Sequence, residues 1–213
     1  MRAFTKGAEP TELREHRSRS DDPNRYSIDA FPAKERLRAR LLEDQQYLCC
    51  YCMGRIDDAR MKIEHLRPQS AGDERDRVAW DNLLAACPGN QGRPPSEQHC
   101  DTRKGDRTLR LHPFSPAVGK LRYLSDGRIR IDDPDLQRDL DDVLNLNQRD
   151  LVANRNHALA ALLHELVERS GATWSAATLQ RKLEALRATP RAQPYLGMLE
   201  FWLADRIRRR SAR

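Results

Sequence analysis

Three cysteines fall within four positions of the stretch LCCYCMGR, residues 48–55, and two more follow at Cys87 and Cys100. This placement constrains the chain more than any periodicity in it, because thiolates that share one ion must converge within a few ångströms. A closed structural zinc site takes four ligands in a tetrahedron, often as two close pairs. Cys49 and Cys52 form a C-x-x-C pair, and Gly54 just beyond is expected to ease the turn by accepting unusual backbone angles. Cys87 and Cys100 are separated by PGNQGRPPSEQH, long for a knuckle, so His99 is an alternative to Cys100 as fourth ligand. Cys50 is read as a packing residue, since an extended turn points it away from Cys49. The competing reading makes all five small buried hydrophobes.

Compartment favours the metal. The opening MRAFTKGAEPTEL lacks the apolar region of a secretory signal. No apolar run approaches the roughly 18 residues of a membrane span. A cytoplasmic location and no membrane partner are therefore expected, and there thiols stay reduced. An odd count of five also argues against a complete set of disulfides. With 38 Lys and Arg against 32 Asp and Glu, the net charge of +6 permits a polyanionic partner without requiring one.

The chain divides by pattern. Residues 1–30 are polar and aperiodic through REHRSRSDDPNRYS and are expected to form an extended arm or loop. Residues 32–48 predict a helix, with Pro32 in its first turn and Leu37, Leu41, Leu42 and Leu48 at roughly helical spacing. LRYLSDGRIRI, 121–131, alternates and turns at Asp126-Gly127, a hairpin signal. Beyond residue 135 the pattern is helical. Leu159, Leu162, Leu163, Leu166 and Val167 form a stripe that Gly171 should end, and two further helical stretches flank Pro190 and Pro194. The expected organisation is an arm and helix over 1–48, a zinc-organised module with hairpin over 49–134, and a helical region over 135–213. Its class is α+β.

Inside the cysteine frame lie KIEHLRPQS (62–70), WDNLLAAC (80–87) and, after Cys100, DTRKGD. A structural zinc ribbon needs none of them. Glu64 and His65 set a carboxylate beside an imidazole, and the Asn82 amide can fix an imidazole tautomer. Asp101 offers a hard oxygen ligand suited to Mg²⁺ or Mn²⁺. Taken singly, each has a plainer reading: a satisfied core histidine, a turn asparagine, a helix cap. Arg67, Arg103, Lys104 and Arg107 are candidate phosphate contacts, with a solvated helix face as the competing reading for the last three. His112, His157 and His164 are read as structural, and the tail RIRRRSAR as a frayed basic terminus.

The order of these motifs resembles the HNH endonucleases with a ββα-metal core; IEHLRPQS keeps the histidine, Pro68 and Ser70 of that pattern. MRAFTK, QQYLCCYCMGRI, WDNLLAAC, HCDTRKGD, LHPF, the DGRI turn and VLNLNQRDLVANR are together similar to the HNH subunit of Septu-type antiphage defence systems, a kind of subunit that some retron-associated systems also carry. The resemblance covers most of residues 1–169. It implies that His65 is the general base, that Glu64 and Asp101 hold a catalytic Mg²⁺ or Mn²⁺, and that Asn82 orients His65. Asp101 stands where many such enzymes have His or Asn. The resemblance also implies cleavage of nucleic acid, DNA before RNA, in complex with an ATPase of the SMC/ABC type, with a retron reverse transcriptase complex as a further partner. The helical region after residue 135 and exposed apolar residues near Tyr195, Trp202 and Leu203 are the candidate docking surface; the competing reading makes these aromatics core, and for Trp202 it is the stronger one. Two other readings compete: a zinc-organised adaptor that binds nucleic acid or a partner without cutting, and a solitary restriction-like HNH nuclease.

Overall fold

The computed structural model describes residues 1–19, 21–171 and 173–211. Ser20 of the expected arm, and Ala212 and Arg213 of the basic tail, lie outside the described residues. The expected extended arm or loop is corrected, because α1 (Thr11–Ser18) forms within it. Only Leu13 and His16 of its eight residues are buried, too few to leave a periodic trace in the sequence. Tertiary contacts hold it: Arg17 donates to the Val78 carbonyl (3.0 Å) and pairs with Glu9 (2.5 Å). Ahead of α1 the chain is strapped across the core. The Lys6 amino group donates to the Leu83 carbonyl (2.6 Å) and lies 3.4 Å from the centre of the Trp80 ring.

Leu37, Leu41 and Leu42 fill one buried face of α2 (Lys34–Asp44), as their spacing predicts. Gln46 and Tyr47, both at positive φ, turn the chain out of the helix toward the cysteines. The Gln45 side chain joins α2 to the sheet, accepting from the Ala85 N–H (2.8 Å) and donating to the Ala85 carbonyl (2.7 Å). That sheet is one antiparallel pair, β1 (Lys62–His65) and β2 (Leu83–Ala86), with Glu64 opposite Leu84 and His65 opposite Leu83. Alternation sends Lys62 and Glu64 to one face and Ile63 and His65 to the other. The short helix α3 (Cys100–Lys104) carries Asp101 and Lys104 to the Lys62–Glu64 side, where they meet those side chains.

The hairpin is shorter than its pattern, pairing β3 (Arg122–Tyr123) with β4 (Ile129–Arg130). Its turn needs Gly127: φ is +86°, and a Cβ there would come within 2.5 Å of the Val152 carbonyl oxygen. Asp133 caps α4 (Pro134–Arg138), and Gln148 caps α5 (Arg149–Ser170), which stops at Gly171 (φ +72°). Val167, expected in the apolar stripe, is instead 44% exposed. The last helices, α6 (Ala176–Ala188) and α7 (Leu196–Ser211), pack on each other, and α7 also lies against α5 and β3. This packing corrects the expected apolar docking surface. Leu203 is fully buried, and Trp202 and Tyr195 are half-buried, with Trp202 edge-on to Trp174 at 6.1 Å. Among the described residues no helix is long and apolar enough to cross a membrane.

Candidate active site and metal centre

The sulfurs of Cys49, Cys52, Cys87 and Cys100 all lie within 4.8 Å of one another, and only Cys87 is not fully buried. The Cys49–Cys100 and Cys52–Cys87 separations are both 3.8 Å. Metal–sulfur bonds of about 2.3 Å give a tetrahedron with edges of about 3.8 Å, so the spacing fits one zinc ion. Backbone amides already point at the sulfurs: Gly54 N–H at Cys52 (3.3 Å) and Cys87 N–H at Cys49 (3.3 Å). Burial opposes a thiolate at Cys49, yet hydrogen bonds from the neighbouring thiols, Cys100 first, hold it well below the usual thiol range.

Three expectations meet the geometry of this centre. The strained angle of the knuckle falls on Met53 (φ +62°) rather than on Gly54, which has an ordinary φ. Cys50 lies outside the four-sulfur cluster, its N–H donating to the Ala85 carbonyl of β2 (3.0 Å), but its thiol still meets that of Cys49 instead of pointing away from it. Cys100 joins that cluster and His99 flanks it, with Nδ1 3.2 Å from the Cys100 sulfur and 3.9 Å from that of Cys87.

On the other side of α3, Glu64 is the hub. Its Oε1 accepts from the Tyr51 hydroxyl (2.7 Å) and from the Lys104 amino group (2.8 Å), which leaves Oε2 uncommitted to either donor. The Glu64 and Asp101 carboxyl groups are hydrogen-bonded to each other, and Lys62 lies 3.2 Å from Asp101. Burial, followed by the Asp101 contact, pushes Glu64 up to about 8, against the pull of Lys104. Asp101 is held below the usual carboxylate range: burial works against ionisation, but the Glu64 bond and Lys62 prevail. Two buried carboxyl groups in such contact have the chemistry to exchange a proton for a hard divalent cation. The sign of the pH effect follows. An ion held by Glu64 and Asp101 would have to displace the Glu64 proton below pH 8, so apparent Mn²⁺ affinity should rise by up to about tenfold per pH unit toward pH 8 and then level off. Calorimetric titration with Mn²⁺ between pH 6 and 9 measures this, and a flat profile excludes Glu64 as the proton donor.

His65 is nearly buried, its Nε2 lying 2.9 Å from the Arg77 carbonyl oxygen. A carbonyl only accepts, so Nε2 carries the hydrogen and Nδ1 keeps a lone pair. Nδ1 faces the Gln69 amide at 3.3 Å. Burial lowers the His65 pKa, and Lys104 adds to the effect, so the ring is neutral near pH 7.

The expected direct hold of Asn82 on the His65 ring is corrected. Its Oδ1 accepts from the Arg67 N–H (2.6 Å), and its Nδ2 donates to the carbonyls of Arg67 (3.1 Å) and Asp76 (2.8 Å). It ties Arg67 to Asp76, the residue before Arg77, whose carbonyl meets the His65 ring. Asn82→Ala strands buried backbone groups and should cost about 1–3 kcal/mol. An unchanged urea midpoint in that variant would contradict this tie.

The candidate phosphate contacts divide. Lys104 is corrected: its side chain is 1% exposed, and its amino group is committed to Glu64 and the His65 carbonyl (2.8 Å). Arg107 is corrected too, since its guanidinium caps the carbonyls of Lys104, Asp142, Val143 and Arg103. Arg103 reaches the Pro95 carbonyl (3.0 Å), and Arg67, 42% exposed, pairs with Asp76 (2.8 Å) and Asp81 (3.3 Å). Tyr51, Gln69 and Lys62 were not singled out from the sequence. Only Tyr51 carried a hint, by standing inside the C-x-x-C pair.

No family model matches the chain. Over 81 residues it is 35% identical to the "Retron Ec83 putative HNH endonuclease" of Escherichia coli, a match that covers 33% of this chain and 31% of that protein.

Proposed function

We propose that this chain is a metal-dependent HNH endonuclease that hydrolyses phosphodiester bonds in nucleic acid, DNA in the first instance. The observation that supports the reading is the pairing of the Glu64 and Asp101 carboxyl groups on one face of β1, with a neutral His65 imidazole whose Nδ1 keeps its lone pair on the next residue of the same strand. The partial likeness to a retron protein named for this activity supports it. The two carboxylates fit a Mg²⁺ or Mn²⁺ ion, which when bound supplies Lewis acidity at the phosphate. His65 takes the proton of the attacking water at Nδ1 while the Arg77 carbonyl holds its far nitrogen. Lys104 and Tyr51 keep Glu64 aimed, and Asn82 keeps the loop closed. The cysteine centre holds zinc and fixes the start of α3, and so the position of Asp101. Nicking of supercoiled plasmid with Mg²⁺ or Mn²⁺, abolished by EDTA, tests the activity; a purely adaptor role predicts binding without nicking under every metal.

The chain acts as the cutting subunit of an antiphage complex with an ATPase, as the resemblance to Septu-type and retron-associated subunits implies. Co-expression with an ATPase encoded beside it should give one peak in size-exclusion chromatography. Separate elution, with full cleavage by this chain alone, replaces this reading with that of a solitary nuclease.

A further inference from the structure

We propose that Arg155 is the internal counter-cation of the four-cysteine metal centre, coupling the loaded site to α5. Arg155 has the largest of the fully buried side chains, at 0% exposure. Its Nε donates to the Gly127 carbonyl (2.5 Å) and one terminal nitrogen to the Leu146 carbonyl (2.7 Å). The other terminal nitrogen, Nη1, is buried with no hydrogen-bond partner, and no carboxylate pairs with Arg155 among the described residues. A buried guanidinium held only by neutral carbonyls is strongly unfavourable unless an anion lies near.

The surroundings supply one. Leu146, which takes the Arg155 bond, lies two residues beyond Leu144, whose carbonyl accepts from the Cys100 N–H (2.9 Å). The ionisable groups that neighbour Arg155 are Tyr123, Cys52, Tyr195 and Cys100. Of these, Cys52 and Cys100 belong to the four-sulfur cluster, and cysteines that hold a zinc ion do so as thiolates. Four thiolates around a divalent zinc leave a net charge of −2 in the interior. The Met1 amine nearby is no competing cation: burial lowers its pKa to about 5, and it donates to the Tyr123 hydroxyl (3.0 Å). The unpartnered guanidinium and the anionic centre therefore explain each other. Through Gly127 and Leu146 the same side chain ties the centre to the hairpin turn and to the segment before α5.

This assignment rests on the metal reading of the cysteines, and the test separates the two. Zinc is titrated into the unfolded, zinc-free chain under refolding conditions for the wild type, Arg155→Met and Arg155→Lys, and native circular dichroism is followed. Outer-sphere partners of a metal site commonly change affinity by about 10–100-fold. Arg155→Met should need at least about tenfold more free zinc to refold, and Arg155→Lys should recover most of the difference. The gap between the melting temperatures of zinc-loaded and zinc-free protein should also shrink in Arg155→Met, whatever its overall stability. Refolding of Arg155→Met at the wild-type zinc level overturns the assignment. So does an Arg155→Lys protein as impaired as Arg155→Met, because shape rather than charge would then be at work. A wild-type chain that binds no zinc overturns the metal reading itself.

Discussion

His65→Ala should lower nucleic-acid cleavage by about 10²–10⁴-fold, the usual contribution of a positioned general base, while zinc content and fold are unchanged. The expectation follows from how the ring is held. Nε2 is fixed by the Arg77 carbonyl at 2.9 Å, so Nδ1 is the atom that can take a proton. Burial lowers the ring's pKa, which keeps it in the basic form at neutral pH. Removing it strands one carbonyl, a loss of about 1 kcal/mol, so unfolding cannot account for a large fall in rate. The control comes from the metal side. Glu64→Ala and Asp101→Ala weaken ion binding, so high Mn²⁺ should partly restore them, whereas no concentration of Mn²⁺ should restore His65→Ala. Single-turnover cleavage across a Mn²⁺ series reads all three variants. Wild-type rates from His65→Ala would remove the base from the mechanism, and recovery of His65→Ala by Mn²⁺ would recast the histidine as a metal ligand.

The residues of this site were legible in proportion to how rare their chemistry is. Four cysteines around one module have few roles, and Cys49-x-x-Cys52 reads as a pair, while the long Cys87–Cys100 spacing leaves His99 open as the fourth ligand. Glu64, His65 and Asp101 stood out because a carboxylate–imidazole pair and an acid beside a cysteine have no purpose in a zinc ribbon. Charge misled where burial decided. Lys104 and Arg107 look like a basic helix face, since lysine and arginine are rarely buried unless paired. Asp101 and Lys104, however, sit three apart on α3 and so share a face, and the acid's partnership with β1 carries the lysine inward with it. The same blindness hid Arg155, whose burial depends on an anion assembled from residues 49 to 100. Asn82 was recognised as important, but for a contact it does not make. Its amide spans a loop closure that only the folded register of β1 against β2 brings together. Helix α1 escaped because two buried side chains in eight residues give no period to read.

Serine at Cys49, Cys52, Cys87 or Cys100 should each abolish bound zinc and soluble expression, while Cys50→Ser should do neither. A two-stranded sheet of four-residue strands does not hold itself together in water. Here its ends are joined through the cysteine centre: Cys49 and Cys52 enter just after α2, Cys87 directly follows β2, and Cys100 opens α3. Zinc binding at a structural site contributes on the order of 10–16 kcal/mol, as much as or more than the roughly 5–15 kcal/mol that stabilises a whole domain. Losing one of four ligands therefore removes enough to unfold the core, and with it the Glu64–Asp101 contact. Cys50 instead lies against β2, and its sulfur is outside the cluster. Zinc content by mass spectrometry, with thermal melting, gives the comparison. Zinc retained in Cys100→Ser and lost in a His99 variant would make His99 the fourth ligand, which its 3.2 Å approach to Cys100 permits. Zinc lost from Cys50→Ser but kept in Cys49→Ser would reverse the pairing of the first two thiols.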